Sequence, residues 1–267
     1  AYYSWQTSMT SPSADWTAEE DGVVSYLGCS VSSAGDVKGD GYDDAIIGDN
    51  GYSGEYTNEG AVFVYYGSEL GLSLVGDWMG KGGRENARFG SSVTMAGDVN
   101  GDGYDDVIIG APGYRGNGAV FGYYGSSSWF SEEADWVVDD QGTSDFGSLV
   151  STAGDVNGDG YDDPVLGFVK DGIARDRNAM IYYGSSEGFT EKYQIALPAP
   201  RCMSVAVGDF NGDGKPDIAF LTDGRVRIFT QTELGFEFQH YVDHDIVGQQ
   251  LAADDLDGDG YADLLVR

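Results

Sequence analysis

The sequence predicts an all-β fold, a β-propeller, and three observations support this prediction. An acidic loop of nine residues occurs five times along the chain. Short runs rich in Val, Ile, Tyr and Phe flank each copy, and such runs favour β-strands. Gly-containing turns such as "YYGS" recur at the same place in successive copies. Regular repetition predicts a repeat architecture, and units of four short antiparallel strands are typical of propeller blades.

The first acidic residue of each loop marks the repeat. These residues are Asp36, Asp98, Asp155, Asp209 and Asp255, and they are 62, 57, 54 and 46 residues apart. Each interval is long enough for four strands with their turns, because most strands contain five or six residues. The spacing therefore predicts one blade for each loop.

The strands of one unit can be placed around its loop. An apolar residue and a Gly, such as Phe89 and Gly90, precede the first strand, and the loop separates this strand from the second. The third strand ends in "YYGS", and the fourth is marked by Trp78 and Trp136 in two of the units. The second and third strands are apolar on both faces, which indicates that each sheet lies between two others.

The acidic loop has the composition of a calcium site. In the second copy, oxygen-bearing side chains occupy loop positions 1, 3, 5 and 9: Asp98, Asn100, Asp102 and Asp106. Without a cation these side chains would repel one another, and oxygen ligands at this spacing suit calcium. Gly103 at position 6 permits a sharp turn, and Tyr104 at position 7 can offer its backbone carbonyl.

Four copies of the loop have a full set of predicted calcium ligands. Besides the second copy, they comprise Asp155, Asn157, Asp159, Tyr161 and Asp163; Asp209, Asn211, Asp213, Lys215 and Asp217; and Asp255, Asp257, Asp259, Tyr261 and Asp263. In the first copy the corresponding residues are Asp36, Asp40, Tyr42 and Asp44, with Lys38 at position 3. An ammonium group has no lone pair to donate. We therefore expect about four calcium ions, with the first loop binding poorly or not at all.

The segment "FGSSVTMAGDVNGDGYDDVIIGAPGY" resembles an FG-GAP repeat, the unit of the integrin α-subunit N-terminal β-propeller and of many extracellular proteins. The resemblance covers essentially the whole chain, although Gly-Ala-Pro occurs only in the second repeat and Phe-Gly is absent from the fourth and fifth. It implies a calcium-binding propeller that takes part in adhesion or ligand binding. No inserted metal-dependent adhesion domain is visible.

The two ends of the chain resemble two halves of one blade, which favours a closed ring of five four-stranded blades in a single domain, 1–267. Blade 5 is then shared between its ends, and the predicted limits are 21–80, 81–140, 141–197 and 198–245 for blades 1 to 4, and 1–20 with 246–267 for blade 5. Integrin-like propellers usually have seven blades. Excision from a longer chain is therefore the competing interpretation, and it would leave exposed sheet edges.

The charge of the chain excludes some partners. Its formal net charge is −31, with 14 basic residues against 45 acidic ones. Nucleic acids and anionic membranes bind clustered Lys and Arg, so neither is an expected partner. No apolar run approaches the ~20 residues that span a membrane. Calcium loops of extracellular modules fill at extracellular calcium concentrations, which predicts a location outside the cytosol or at the cell surface.

Signals of catalysis are weak in this sequence. The stretch "GSSEG", residues 184–188, matches the G-x-S-x-G pattern of hydrolases. That pattern requires a strand-to-helix turn, whereas this stretch lies in a predicted strand-to-strand turn. We therefore predict that the protein is not an enzyme.

Strand order predicts two different faces. The acidic loops and the "YYGS" turns share one face, and the second-to-third strand connections and the links between blades share the other. Eight of the 14 basic residues gather on that second face. Candidate ligand contacts there are Tyr52, Tyr56, Arg84, Arg88, Tyr114, Arg115, Arg175 and Arg177. Either these cations select an acidic ligand, or they only balance nearby acidic residues.

Several hypotheses about function follow. The favoured one is an extracellular calcium-binding module for adhesion or binding, whose partner is a protein or a glycan and is acidic. One alternative is an accessory or catalytic propeller of a lyase-like enzyme that degrades polysaccharide. Another is a structural subunit of an extracellular assembly, and self-association stays open.

Overall fold

The computed structural model describes residues 16–18, 26–139, 145–168, 178–190, 195–199, 202–222, 224–233, 235–242 and 250–266. Within these ranges the regular elements are β-strands, apart from one short 3-10 turn, Tyr114–Gly116. No helix in the described part of the chain is long and apolar enough to cross a membrane. The all-β prediction is confirmed.

Four sheets contain four antiparallel strands each, in sequence order, and we call them blades 1 to 4. Blade 1 contains β1 (Ser30–Gly35), β2 (Asp44–Asp49), β3 (Ala61–Tyr65) and β4 (Trp78–Lys81). Blade 2 contains β5 (Ser92–Gly97), β6 (Asp106–Ala111), β7 (Ala119–Tyr123) and β8 (Trp136–Asp139). Blade 3 contains β9 (Phe146–Thr152), β10 (Pro164–Phe168), β11 (Asn178–Ile181) and β12 (Ile195–Pro198). Blade 4 contains β13 (Cys202–Gly208), β14 (Asp217–Thr222), β15 (Arg225–Thr232) and β16 (Gly235–Val242).

A fifth sheet contains two described strands, β17 (Leu251–Asp254) and β18 (Asp263–Val266). β17 packs beside β13, just as β5 packs beside β1 and β9 beside β5. The first strands of successive sheets therefore lie next to each other, as they do around the axis of a propeller. Closure into a five-bladed ring involves residues 1–15 and 19–25, which lie outside the described residues, so the blade number stays a prediction.

Trp16 occupies a position that repeats around the molecule. Its indole packs edge-on against the ring of Tyr65 in blade 1, with ring centroids 4.9 Å apart. Trp78, on the fourth strand of blade 1, packs in the same way against Tyr123 of blade 2 at 5.0 Å. Trp16 thus contacts blade 1 as a fourth-strand Trp contacts the following blade.

The core consists of four apolar clusters, one between each pair of successive sheets. Ile46 and Ile109 belong to the cluster between blades 1 and 2, and Ile108 and Leu166 to the next. A third cluster joins blades 3 and 4, and a fourth joins blade 4 to β17 and β18. All residues of β6 and β14 are buried, because each of these strands lies between two neighbouring sheets. The predicted apolar character on both faces is therefore explained by this stacking.

Antiparallel order separates the connections into two faces. The acidic-loop face consists of the five acidic loops, which follow the first strand of each sheet, and the turns between third and fourth strands. The opposite face consists, among the described residues, of connections such as 50–60, 82–91 and 112–118. These opposite-face segments contact one another: Asn86 N–H donates to Thr57 O at 2.8 Å, and Gly113 N–H donates to Ala87 O at 3.1 Å.

Candidate metal loops and the opposite face

The Asp at loop position 1 organises each acidic loop. In the second loop, the N–H groups of Gly101 and Asp102 donate to Asp98 Oδ1 at 2.7 and 3.0 Å, and Gly103 N–H donates to Asp98 Oδ2 at 2.9 Å. Gly103 has a φ of 89°, a left-handed conformation that favours glycine. The same three donors contact the first Asp in the other complete loops: Asp155, Asp209 and Asp255.

Positions 3 and 5 are held by backbone donors as well. Asp102 N–H donates to Asn100 Oδ1 at 2.8 Å, and Tyr104 N–H donates to Asp102 Oδ1 at 3.1 Å. The later loops repeat both bonds, through Asn157 and Asp159, Asn211 and Asp213, and Asp257 and Asp259. Residues at position 7, including Tyr161, Lys215 and Tyr261, donate their N–H groups in this pattern. Each ligand oxygen accepts from the backbone and keeps further lone pairs for a cation.

The carboxylate at position 9 is buried in the first four loops. Asp106 is fully buried and accepts from Val99 N–H at 3.0 Å and from Gly125 N–H at 2.8 Å. Loss of hydration raises the pKa of Asp106 to about 8, although these two donors act to lower it. Asp163 and Asp217 are placed alike, and desolvation raises the pKa of Asp163 to about 7. A divalent cation would restore the charged form, so these residues fit a metal site.

The fifth loop brings three carboxylates together. One oxygen from each of Asp255, Asp257 and Asp263 lies within 4.8 Å of the other two. This separation matches a shared cation, because calcium–oxygen distances are roughly 2.3–2.6 Å. Leu256 N–H donates to Asp263 Oδ2 at 3.1 Å, which repeats the bond from Val99 N–H to Asp106 Oδ2 in the second loop.

The first loop has the same backbone form as the others. The N–H groups of Asp40 and Gly41 donate to Asp36 at 2.9 and 2.7 Å, and Tyr42 N–H donates to Asp40 Oδ1 at 3.2 Å. Asp44 is buried, and desolvation raises its pKa to about 6. One bond differs: Gly39 N–H donates to the Asp36 backbone carbonyl at 3.3 Å, whereas the equivalent Gly in the other loops donates to the side chain of the first Asp.

Lys38 supplies a positive charge inside this first loop. Its Nζ donates to Asp40 Oδ2 at 2.9 Å and lies 4.7 Å from the centroid of the Tyr66 ring. The hydrogen bond to Asp40 raises the pKa of Lys38, and the same bond lowers the pKa of Asp40. Lys38 therefore forms its ion pair with Asp40, the residue at position 5 of the same loop.

Position 8 has a role that the motif analysis missed. Asp105 Oδ2 accepts from the N–H of Asp36 in the preceding blade at 2.8 Å, and Asp162 Oδ2 accepts from Asp98 N–H at 3.1 Å. These carboxylates join the loops of neighbouring blades. The tandem Asp-Asp of the first three copies was the available signal, but only the second Asp was assigned a role.

On the opposite face, two guanidinium groups meet one tyrosine. The Arg84 and Arg115 guanidinium carbons lie 5.2 and 5.3 Å from the centroid of the Tyr114 ring. Tyr114 is held from below by Phe121, edge-on at 5.2 Å. A further contact was not predicted from the sequence: Lys81 Nζ lies 5.5 Å from the Tyr52 ring centroid. We call Tyr52, Lys81, Arg84, Tyr114 and Arg115 the cation–tyrosine cluster.

The remaining ligand candidates divide into three groups. Tyr56 is exposed, and its pKa is raised by a hydrogen bond to Glu55, while the Arg84 charge acts in the opposite direction. Arg88 is exposed, and its side chain makes no ion pair or ring contact within the described part of the chain. Arg175 and Arg177 lie outside the described residues.

Charge balancing accounts for one member of the cluster. Arg115 Nη1 lies 2.7 Å from Asp139 Oδ2, and the Arg115 side chain is 53% exposed. Arg84 makes no ion pair among the described residues, and its hydrogen bond to Tyr114 raises its pKa. The alternative that these cations only balance acidic neighbours therefore describes Arg115 better than Arg84.

The hydrolase-like pattern lies in a turn between strands, as predicted. Residues 184–188 connect β11 to β12, and Ser185 N–H donates to Val99 O of blade 2 at 2.9 Å. Ser185 Oγ donates to Gly188 O at 2.7 Å, which closes the turn. These contacts are structural, and the strand-to-helix elbow that the pattern needs for catalysis is not formed here.

Comparison with known proteins identifies the repeats. The family model described as FG-GAP repeat matches residues 89–123, and the one described as FG-GAP-like repeat matches 172–220 and 209–266. Integrin alpha-7 of Rattus norvegicus is 33% identical over 176 residues, which are 62% of this chain and 15% of that protein. Integrin alpha-4 of Xenopus laevis is 29% identical over 224 residues, which are 78% of this chain and 21% of that protein. The chain therefore spans about a fifth or less of the length of these relatives.

Proposed function

Because this chain carries FG-GAP repeats, we propose that it is an extracellular calcium-binding propeller that acts by binding a ligand and not by catalysis. The ligand contacts lie on the opposite face, and calcium occupies the acidic-loop face. The observation that carries the proposal is the cation–tyrosine cluster. It presents exposed guanidinium groups and aromatic rings on a chain whose net charge is −31.

Calcium binds at the second, third, fourth and fifth loops, through the side chains at positions 1, 3, 5 and 9 and the carbonyl at position 7. Support comes from the shared hydrogen-bond pattern of these loops and from the buried carboxylates at position 9. Oxygen ligands in a flexible loop match the preferences of calcium. The first loop binds no ion, because Lys38 already supplies a charge there.

The ligand is acidic, either a carboxylated glycan or a protein surface with Asp and Glu side chains. Arg and Tyr are favoured at binding hot spots, because each has a large contact area and a directional polar end. Arg84 and Arg115 attract an anion within an otherwise acidic molecule, which selects against basic partners. Tyr114 keeps both guanidinium groups in place, because it is itself fixed by Phe121.

The proposal is tested with two charge-matched double variants. Arg84→Gln with Arg115→Gln removes two positive charges from the opposite face. Lys38→Gln with Lys215→Gln removes two from the acidic-loop face. Both proteins and the unmodified chain are applied, in calcium, to an array of carboxylated glycans and acidic peptides, beside neutral analogues of each.

We expect the unmodified chain to bind carboxylated probes in preference to their neutral analogues. The Arg84 and Arg115 variant should bind them at least about tenfold more weakly, a loss of about 1.4 kcal/mol, while the Lys38 and Lys215 variant should bind them unchanged. Equal binding by the two variants would contradict the assignment of the ligand to the opposite face. Uronate products released from a polysaccharide by the isolated chain would contradict the absence of catalysis.

A further inference from the structure

The acidic loops of neighbouring blades are locked together by the residue at position 7. The Tyr104 ring of blade 2 lies on Gly39 of blade 1, so closely that a Cβ at Gly39 would lie 2.6 Å from Tyr104 Cε1. Two further junctions repeat this contact: Tyr161 lies on Gly101, and Tyr261 lies on Gly212. The aromatic ring fills the space between two successive loops at each of these junctions.

Position 8 makes a second lock at the same junctions. Its backbone N–H donates to the carbonyl of position 1 in the preceding blade. The three bonds are Asp105 N–H to Asp36 O at 3.3 Å, Asp162 N–H to Asp98 O at 3.3 Å, and Ala262 N–H to Asp209 O at 2.8 Å. Ring and hydrogen bond together close the acidic-loop face between these pairs of sheets.

The junction between blades 3 and 4 has neither the aromatic ring at position 7 nor the hydrogen bond from position 8. Lys215 stands at position 7 in place of Tyr, and Pro216 stands at position 8, where it has no N–H to donate. Around Gly158, the residue that a Tyr ring would cover, no heavy atom lies within 4 Å of a Cβ built there. This junction is therefore open where the others are filled.

A cleft of about 880 Å³ occupies the open junction. Volumes in this range are typical of small-molecule sites. Ile195, Leu197, Tyr183 and Phe236 provide apolar and aromatic walls. Polar groups of both blades line the rest, including Asp155 and Asn157 of the third acidic loop. The cleft thus arises from two residue changes in one loop and has a mixed lining.

Gln231 lies in this cleft with one side-chain atom unsatisfied. Its Nε2 donates to Val156 O of blade 3, and its backbone N–H donates to Asp217 Oδ1 at 2.8 Å. Its Oε1 is buried and has no hydrogen-bond partner among the described residues. An unpartnered buried acceptor is costly, so a rotation of the Gln231 amide that let a ligand hydroxyl in the cleft donate to it would be favoured.

We propose that the cleft between blades 3 and 4 binds a neutral saccharide. Hydroxyl groups both donate and accept, so they suit the acceptor Glu233, the donor Lys215 and the Gln231 amide together. The apolar face of a sugar ring suits the aromatic walls of Tyr183 and Phe236. The net charge of −31 disfavours an anionic ligand, and the Lys215 ammonium disfavours a cationic one.

This site is separate from the ligand site on the opposite face, and its test is separate too. The calcium-loaded chain is titrated by calorimetry with glucose, galactose, mannose, N-acetylglucosamine and their disaccharides, and with glucuronate as the anionic comparator. Lys215→Tyr introduces the residue that fills the other junctions. Lys38→Tyr is the matched control, since it makes the same change in a loop whose junction is already closed.

In the Arg84→Gln and Arg115→Gln variant, which lacks the opposite-face cations, we expect at least one neutral saccharide to bind more tightly than glucuronate does. Lys215→Tyr should weaken that binding at least about tenfold, and Lys38→Tyr should leave it unchanged. Because Lys215 lies in a metal loop, Phe236→Ser provides a second variant outside it and should also weaken binding about tenfold.

Three results would overturn the proposal: no binding of any neutral saccharide in the panel, preference of the Arg84→Gln and Arg115→Gln variant for glucuronate, or unchanged binding by both Lys215→Tyr and Phe236→Ser. If Lys215→Tyr loses calcium, Phe236→Ser alone decides between the two outcomes. The Arg84→Gln and Arg115→Gln variant should retain saccharide binding. Failure of the opposite-face proposal is therefore distinguishable from failure of this one.

Discussion

The two faces of the molecule are built in different ways. On the acidic-loop face, the same three backbone donors contact the first Asp in loops two to five. On the opposite face, different contacts stabilise each connection. Buried Glu59 accepts from the N–H groups of Gly54 and Glu55 in blade 1 at 3.0 and 2.8 Å. In blade 2 a short 3-10 turn holds Arg115 at a φ of 52°.

This difference makes departures on the repeated face informative. Because the copies agree, a single changed residue such as Lys38 or Lys215 can be compared with its equivalents at the same loop position. Lys38 brings a charge into a loop that keeps two of the three backbone donors to its first Asp, whereas Lys215 accompanies an opened junction. On the opposite face no such comparison exists, so function there is inferred from charge, exposure and contacts.

Calcium removal is expected to have the largest effect, because it acts on the whole repeated face. Each ion stabilises the folded state by about 2.7 kcal/mol at 100 times its Kd, and four ions act together. We expect chelation to lower the melting temperature by more than about 10 °C, measured by circular dichroism. Restored calcium should reverse the change. An identical melting temperature with and without chelator would refute the structural role of the ions.

A matched pair of variants at position 9 compares the stability contributed by loops one and two. Asp106→Asn and Asp44→Asn each alter a buried carboxylate that accepts two backbone N–H groups. At a calcium concentration of 100 times the Kd, Asp106→Asn should lower the free energy of unfolding by about 2.7 kcal/mol more than Asp44→Asn does, because it also removes a bound ion. Denaturant unfolding measures both. In chelator the two variants should lose equal amounts of unfolding free energy. Equal losses in the presence of calcium would contradict the prediction that loop two binds an ion and loop one does not.

The number of bound ions should follow position 3. Lys38→Asn gives the first loop the residue found in loops two to four, and we expect five calcium ions per chain instead of four. Asn100→Lys makes the reverse change in the second loop and should leave three. Equilibrium dialysis against saturating calcium, with a protein-free compartment as the reference, counts the ions. Five ions in the unmodified chain would mean that Lys38 does not exclude calcium.

The smallest effect on stability is expected on the opposite face. Arg115→Ala removes the ion pair with Asp139, and exposed pairs contribute less than about 1 kcal/mol. We expect the free energy of unfolding to change by no more than that amount and the calcium content to stay constant. A larger loss in urea unfolding would indicate that the cation–tyrosine cluster supports the fold.

Much of the fold could be predicted because its signals are local. Strand patterns, "YYGS" turns and the repeated loop each occupy a few consecutive residues, and the predicted strand order follows from them. The loop ligands are equally local, since positions 1 to 9 fold around a single Asp. Contacts between blades could not be predicted in this way. The role of Asp105 depends on Asp36, which lies in a different repeat, and neither residue alone indicates that pairing.

The sequence by itself determined the all-β repeat fold and the nine-residue acidic loops with their oxygen-bearing side chains. Backbone periodicity and short-range hydrogen bonding dictate these features within each repeat. Only the tertiary structure decided which groups meet across blades: Arg84 and Arg115 at Tyr114, Tyr104 on Gly39, and the open cleft beside Lys215. Such contacts join residues from different elements, and blade packing sets the separations between them.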